Sequence, residues 1–213
     1  MTDPTQTSGT IVVGGTGRVA VEPDVADLRL GVAIARPTVA DARSAAAAAM
    51  TSILAAIEAA GIARRDTRTT LLSVQPRYDY RDGQAPALVG YDLANVVEVT
   101  VRDLATLGAV VDGALAAGAT SLDGLAFRVE DPSAAEAAAR TAAVAQARSR
   151  AEVLAAAADV RLAGVSDIVE GGAPPVWPMA KAARLTMAAD ASTPIEAGVT
   201  EIAVTVTVTF RIA

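Results

Sequence analysis

Hydrophobic and polar residues alternate along several stretches of the chain, and each such stretch predicts a β-strand with one buried face. The alternation is clearest at residues 26–34 and 201–212, where every second residue is apolar. A two-residue period is typical of a half-buried strand. Weaker alternation predicts further strands at residues 11–21, 67–78, 89–101, 120–130 and 165–170. The turn sequence at 81–84 predicts that two of these strands form a hairpin.

Apolar residues spaced three and four apart predict three helices between these strands. The first begins at Thr38, which forms a capping box with Asp41, and ends at Gly61. The second begins after Asp103 and ends at Gly118. The third runs from Ser133, in a second capping box, for roughly 26 residues, or about 40 Å. This third helix has Ala on nearly every side, so we expect it to pack along a sheet and to offer a second face to another subunit.

These elements predict an α+β fold in which antiparallel sheet packs against long Ala-rich helices. The first two helices both end in Ala-Ala-Gly before a strand, which suggests a duplicated strand–helix–strand unit. We expect a flexible N-terminus at 1–10 and a domain at 11–213. That domain divides into two subdomains, at 25–130 and at 131–213, and the latter includes strand 11–21.

Composition narrows the chemistry that the chain can perform. The sequence contains no His and no Cys, which excludes a Ser-His-Asp triad, a thiol nucleophile and a zinc–thiolate site. We therefore predict no catalytic residue, no metal ligand and no cofactor. The net charge of −6 argues against nucleic acid as a partner.

The sequence also indicates in which cellular compartment the protein is located. No apolar run approaches the length of a membrane-spanning helix, so no transmembrane segment is predicted. The first ten residues lack the basic and apolar regions of a signal peptide. We therefore predict a cytoplasmic protein, which would be periplasmic or secreted only if a signal had been removed.

The glycines near the start of the chain form a motif that could suggest nucleotide binding. Gly15-x-Gly17 resembles part of a dinucleotide-binding fingerprint, which requires a helix immediately after the glycines. Here the extended pattern continues to Pro23, so we expect a glycine-bent or bulged strand instead.

Two groups of large side chains are candidates for contact with a partner or a ligand. Tyr78, Tyr80 and Tyr91 lie around the predicted hairpin, where the alternative is cross-strand packing. Trp177 and Met179 lie in the Pro-rich loop 171–194, for which we predict one helical turn near 179–187. Loops of this length are commonly functional. This one either contacts a partner or folds back as a local lid.

Motifs spread along residues 11–213 resemble the SIMPL-domain family, which was long described as a domain of unknown function and includes a periplasmic immunogenic protein. The motifs are Ile11-Val12-Val13-Gly14-Gly15-Thr16-Gly17, Pro23-Asp24-Val25-Ala26, Gly61-Ile62, Gly90-Tyr91 with Asn95, Asp103-Leu104, Gly118-Ala119, the Ala-Arg-Ser-Arg-Ala-Glu stretch at 147–152 and Ile195-Glu196-Ala197-Gly198. The resemblance implies an α+β fold, self-assembly and a link to envelope or oxidative-stress tolerance. It implies no catalytic residues.

Three hypotheses about function follow. The first is a non-enzymatic, self-assembling protein that forms a homo-oligomer and is linked to stress tolerance, its other protein partners being unknown. The second is a binding module for a small ligand or peptide that uses the loop 171–194. The third is a hydrolase that uses paired carboxylates among Asp24, Asp27, Asp92 and Glu98.

Overall fold

The computed structural model describes residues 9–81, 85–171, 177–179 and 193–213. In this part of the chain, two antiparallel sheets pack against three α-helices, which confirms the predicted α+β class. In chain order the elements are β1 (Thr10–Val21), β2 (Val25–Arg36), α1 (Val39–Ala59), β3 (Thr67–Asp79), β4 (Ala87–Val101), α2 (Leu107–Ala116), β5 (Ser121–Arg128), α3 (Ser133–Ala157), β6 (Leu162–Glu170), β7 (Trp177–Met179) and β8 (Val199–Ile212). They form two compact units.

One unit contains β2, α1, β3, β4, α2 and β5. Its strands have the order β3-β4-β2-β5 and are all antiparallel to their neighbours. The chain therefore runs twice through strand, helix and strand, which is the arrangement of ferredoxin-like folds. Its core lies between the helices and one face of the sheet, and the buried side chains include Leu28, Leu30, Ile53, Val97 and Val99.

Local sequence explains where the helices begin. The Thr38 hydroxyl accepts a hydrogen bond from the Asp41 amide at 3.1 Å and donates one to the Asp41 carboxylate at 2.7 Å, which confirms the predicted cap of α1. The capping box predicted at Ser133 is wrong. The side chain of Asp131 caps α3 instead, because its carboxylate accepts from the Ser133 amide at 3.0 Å.

The other unit contains β1, α3, β6, β7 and β8. Its sheet has the order β1-β8-β6, and the short strand β7 also pairs with β8. Alternate residues of β8 point toward α3 and are buried, as the sequence predicts: Ile202, Val204, Val206, Val208 and Phe210. Against them lies a stripe of alanines that repeats every four residues along α3: Ala139, Ala143, Ala147, Ala151 and Ala155.

The glycines of β1 let this strand lie directly on α3. A Cβ atom on Gly15 would stand 2.0 Å from the Ala143 carbonyl oxygen, and one on Gly17 would stand 1.9 Å from the Ala139 carbonyl oxygen. The predicted bulge is wrong, because β1 pairs with β8 in unbroken register from residue 10 to residue 21; a bend at the glycines stays a prediction. Gly15 and Gly17 allow this close helix–strand packing.

The segment 171–194 also differs from its prediction. Residues 177–179 form β7, with Trp177 opposite Glu201 and Met179 opposite Val199. The predicted helical turn near 179–187 therefore does not include Met179, and its other residues lie outside the described part of the chain.

Replacement of the packed glycines tests this contact. Gly15→Ala should lower the free energy of unfolding by about 3 kcal/mol, because the added methyl group must push two backbones apart. Gly14→Ala is the matched control, since its added Cβ would approach no atom more closely than 3.9 Å, and its effect should stay within about 0.5 kcal/mol. Urea denaturation measures both, and equal effects would contradict this packing.

Candidate functional site

The hairpin of β3 and β4 extends beyond the sheet that it belongs to. The last residue of β2, Arg36, lies opposite Tyr91, so residues 87–90 of β4 pair with β3 alone. The end of the hairpin is therefore a two-stranded arm, comprising residues 77–81 and 85–90. Two strands without further support are only marginally stable in water, so contact with another surface would stabilise this arm.

Exposed apolar side chains are concentrated on this hairpin. Tyr80 is 76% exposed and Leu72 is 67% exposed, and five others exceed one third: Leu71, Val74, Tyr78, Leu88 and Val89. Single exposed apolar side chains are ordinary on protein surfaces, whereas a group of them marks an interaction site. The hairpin is therefore the candidate functional site of the described residues.

The structure brings together two of the three predicted tyrosines. The rings of Tyr78 and Tyr80 have centroids 6.4 Å apart and are tilted by 55°. Both rings are exposed, and they lie on the same side of the hairpin turn rather than across it. Tyr91 is half-buried opposite Pro76 on the neighbouring strand.

Trp177 and Met179 belong to the other unit, in β7. Only their backbone pairing is described, and residues 172–176 and 180–192 lie outside the described part of the chain. A contact role for Trp177 and Met179, and a binding module built on the loop 171–194, therefore stay predictions.

A groove of about 520 Å³ lies beside the same hairpin, between α1 and the strands β3 and β4. Leu54, Ile57 and Ile62 form part of its apolar lining, and Leu54 is 38% exposed. The groove therefore adds apolar surface to the base of β3.

The face of the sheet opposite the helices carries ion pairs that join neighbouring strands. The Glu98 carboxylate accepts hydrogen bonds from Arg68 on β3 and from Arg29 on β2. These hydrogen bonds, together with the charges of both arginines, hold the pKa of Glu98 below its ordinary value, although burial opposes this effect. Glu98 thus links three strands through one ionised side chain.

A second group of this kind surrounds Asp27. Burial would raise the pKa of Asp27, but hydrogen bonds from Arg128 at 2.7 Å and from Thr100 at 2.8 Å outweigh burial and lower it. A general acid needs a carboxyl group whose pKa is raised toward neutrality. Asp27 and Glu98 are instead ionised and bound to arginines, which disfavours the carboxylate hydrolase.

Two further features are absent from the described residues. No group of three or more acidic side chains there is arranged to hold a metal ion. No helix in the described ranges has both the length and the apolar content needed to cross a membrane.

Comparison with known proteins identifies the family. Residues 11–210 match the model of the SIMPL family, which is described as a protein of unknown function (DUF541). The chain belongs to the SIMPL family. The resemblance found in the sequence motifs is thereby confirmed.

Relatives of this SIMPL protein come from several bacteria. The 26 kDa periplasmic immunogenic protein of Brucella melitensis biotype 1 is 37% identical over 210 residues, which are 95% of this chain and 84% of the relative. The uncharacterized protein YggE of Escherichia coli K12 is 35% identical over 145 residues, or 68% of this chain and 58% of the relative. YggE of Edwardsiella ictaluri is 30% identical over 158 residues, or 74% of this chain and 66% of the relative.

The prediction of a cytoplasmic location is wrong. The similarity to proteins named periplasmic in two Brucella species covers 95% of this SIMPL chain. The prediction rested on the composition of the first ten residues alone, which is much weaker evidence than a similarity over nearly the whole chain.

Sequence reasoning missed the exposed aliphatic residues of the hairpin. Leu71 and Leu72 are adjacent, and neighbouring residues of a strand point to opposite faces. A strand with only one buried face leaves at least one of two adjacent leucines exposed, and on β3 both are exposed. The Leu-Leu pair was therefore the signal in the sequence.

The ion pairs around Glu98 should make stability depend on pH. Because the folded-state pKa of Glu98 is lowered, its contribution is present above the unfolded value of about 4.3 and is lost as pH falls through the folded value. Glu98→Gln should therefore weaken the loss of stability on acidification between about pH 5 and pH 3.

Urea denaturation at pH 7, 5, 4 and 3 measures this dependence. Glu152→Gln, at an exposed position of α3, is the control and should retain the pH dependence of the wild type. Identical pH dependence in all three proteins would show that the Glu98 ion pairs do not contribute.

Proposed function

We propose that this chain is a non-enzymatic protein that assembles with copies of itself in the periplasm. The observation that carries this proposal is the group of seven exposed apolar side chains on the β3–β4 hairpin, among them Leu72, Tyr78 and Tyr80. Contact between copies would remove this surface from water, at roughly 25 cal/mol for each Å² buried.

The shape of the hairpin supports assembly over a chance exposure of apolar residues. Its arm consists of two strands that pair with no third strand, and a second copy packed against the arm would stabilise it. Homo-oligomers with closed symmetry are the commonest way in which soluble proteins cover such surfaces. The net charge of −6 favours a protein partner over nucleic acid.

Three observations support a role without catalysis. The sequence has neither His nor Cys, which removes the side chains most often used as bases and thiol nucleophiles. Asp27 and Glu98 are bound to arginines with lowered pKa values. The names of the relatives, periplasmic immunogenic protein and uncharacterized protein YggE, indicate no enzymatic activity.

The names of the Brucella relatives support a periplasmic location. A chain without Cys also has no thiol that the oxidising conditions of the periplasm would modify. The resemblance to the family further predicts a link to oxidative-stress tolerance. Survival of a strain lacking the gene under peroxide would test that link, with equal survival of both strains as the contrary result.

Light scattering of the purified chain tests assembly. Between about 1 and 100 μM, in the range of protein–protein affinities, we expect a mass that is a multiple of 21.4 kDa. A mass of one chain at every concentration would overturn the proposal.

Variants of the arm locate the contact. The double replacement Tyr78→Ser with Tyr80→Ser should weaken association by about tenfold or more, because it removes two exposed rings from the buried surface. Leu115→Ser, at an exposed position of α2, is the control and should assemble as the wild type does. Equal behaviour of the two variants would mean that the arm lies outside the contact.

A further inference from the structure

Each sheet ends in edge strands, whose outward backbone groups can pair with another strand. In the unit that contains α3, side chains of the helix occupy the edge formed by β1. The Gln146 side-chain oxygen accepts from the Thr16 amide at 2.8 Å, and Arg150 donates to the Gly14 carbonyl at 2.7 Å. This edge is therefore closed to a further strand along its centre.

Two other edges are poorly suited to pairing. β5 has only eight residues, and its register with β2 shifts at Arg29 and Leu30. β6 has two register shifts against β8, and Glu170 at its end is bound to Arg140 at 3.0 Å. Bulges and charges are the features by which proteins protect edge strands from pairing.

The edge formed by β3 has neither charges nor bulges at its centre, and Pro76 limits pairing only at one end of this stretch. It has thirteen residues, and residues 69–76 carry no charge. Residues 71–75 pair with β4 in unbroken register, which leaves a regular stretch between two bulges. Leu72 and Val74 share one face of this stretch and are both exposed, at 67% and 39%.

Pro76 indicates which backbone groups of β3 point away from the sheet. Proline has no N–H, and within sheets it occupies edge positions whose N–H would face solvent. Leu72 and Val74 are in step with Pro76 along the two-residue period. Their N–H and C=O groups therefore point outward, where a further strand would bind them.

We propose that β3 pairs with β3 of a second copy of this chain, antiparallel, about a two-fold axis at Ser73. This inference rests on the proposed self-assembly and names its surface. Opposite residues of an antiparallel pair share a face, so the axis must pass through a residue. An axis at Ser73 places Leu72 of each copy opposite Val74 of the other, whereas an axis at Leu72 or Val74 would place Val74 opposite Thr70, or Leu72 opposite Pro76.

Self-pairing in this register satisfies the outward backbone groups of Leu72 and Val74 and covers their side chains. Leu72 and Val74 of the two copies exchange N–H···O=C bonds, and their four side chains form one apolar cluster. Two copies that each carry a net charge of −6 meet along an uncharged stretch, which avoids opposing like charges at the centre. A second copy therefore fits this edge.

A single introduced cysteine tests the register. Ser73 lies opposite itself in a non-hydrogen-bonded pair, where the two Cα atoms are about 4.5 Å apart, within the range of disulfides. Because the natural chain has no Cys, the Ser73→Cys variant carries the only thiol. Under mild oxidation at micromolar concentration it should form a disulfide-linked dimer, measured on a non-reducing gel and by intact mass. Ser121→Cys, half-buried on the edge strand β5, is the control and should stay largely unlinked.

A second variant measures the same contact without a crosslink. Val74→Lys should weaken association by about tenfold or more, because it places a charge inside the apolar cluster, while the thermal midpoint of the dissociated chain should change little because Val74 is exposed.

These experiments distinguish a failure of the proposed β3 pairing from a failure of the proposed self-assembly. If the wild type assembles, but the Ser73→Cys variant crosslinks no more than the Ser121→Cys variant and Val74→Lys assembles normally, the β3 pairing is wrong and self-assembly stands. If the wild type is monomeric and the Ser73→Cys variant does not crosslink, both are wrong.

Discussion

The backbone of β1 lies directly on the backbone of α3, and the arrangement of that unit depends on this contact. Aromatic residues make up only 3% of the chain, so its core is built from small side chains at close range. Dense packing of this kind gains many weak dispersion contacts. The same closeness lets Gln146 and Arg150 reach over β1 and bind its outward backbone groups. One packing contact thus stabilises a sheet and closes its edge.

The unit that contains β3 fills its core with larger side chains and leaves a different surface exposed. Leucines, isoleucines and valines fill the space between its helices and its sheet, but Leu72 and Val74 of β3 are not covered. On the opposite face, Glu98 joins Arg68 of β3 to Arg29 of β2. These ion pairs hold the edge strand in place before any partner arrives, and such preorganisation lowers the entropy lost on binding.

Much of this fold follows from local patterns in the sequence. The alternation in β2 and β8, the cap at Thr38 and the alanines of α3 each act within one element, so the sequence predicts them. The partner of Gly15 and Gly17 was not predictable in this way, because α3 lies more than a hundred residues away along the chain. The same holds for the exposure of Leu72, because α1 packs on β2 and β4 rather than on β3. The tyrosines could be identified from the sequence because aromatic residues are rare in it. The exposed aliphatic residues beside them were not identified in this way.

The central claim is that β3 is an open edge strand in the described part of the chain and that copies of the chain associate through it. Amide hydrogen exchange of the unmodified protein, compared between dilute and concentrated samples, tests this claim most directly. The account predicts that exchange of the Leu72 and Val74 amides slows as concentration rises, while exchange of the Thr16 amide in β1 stays the same. Concentration-dependent protection at other strands with no change at Leu72 and Val74 would contradict it.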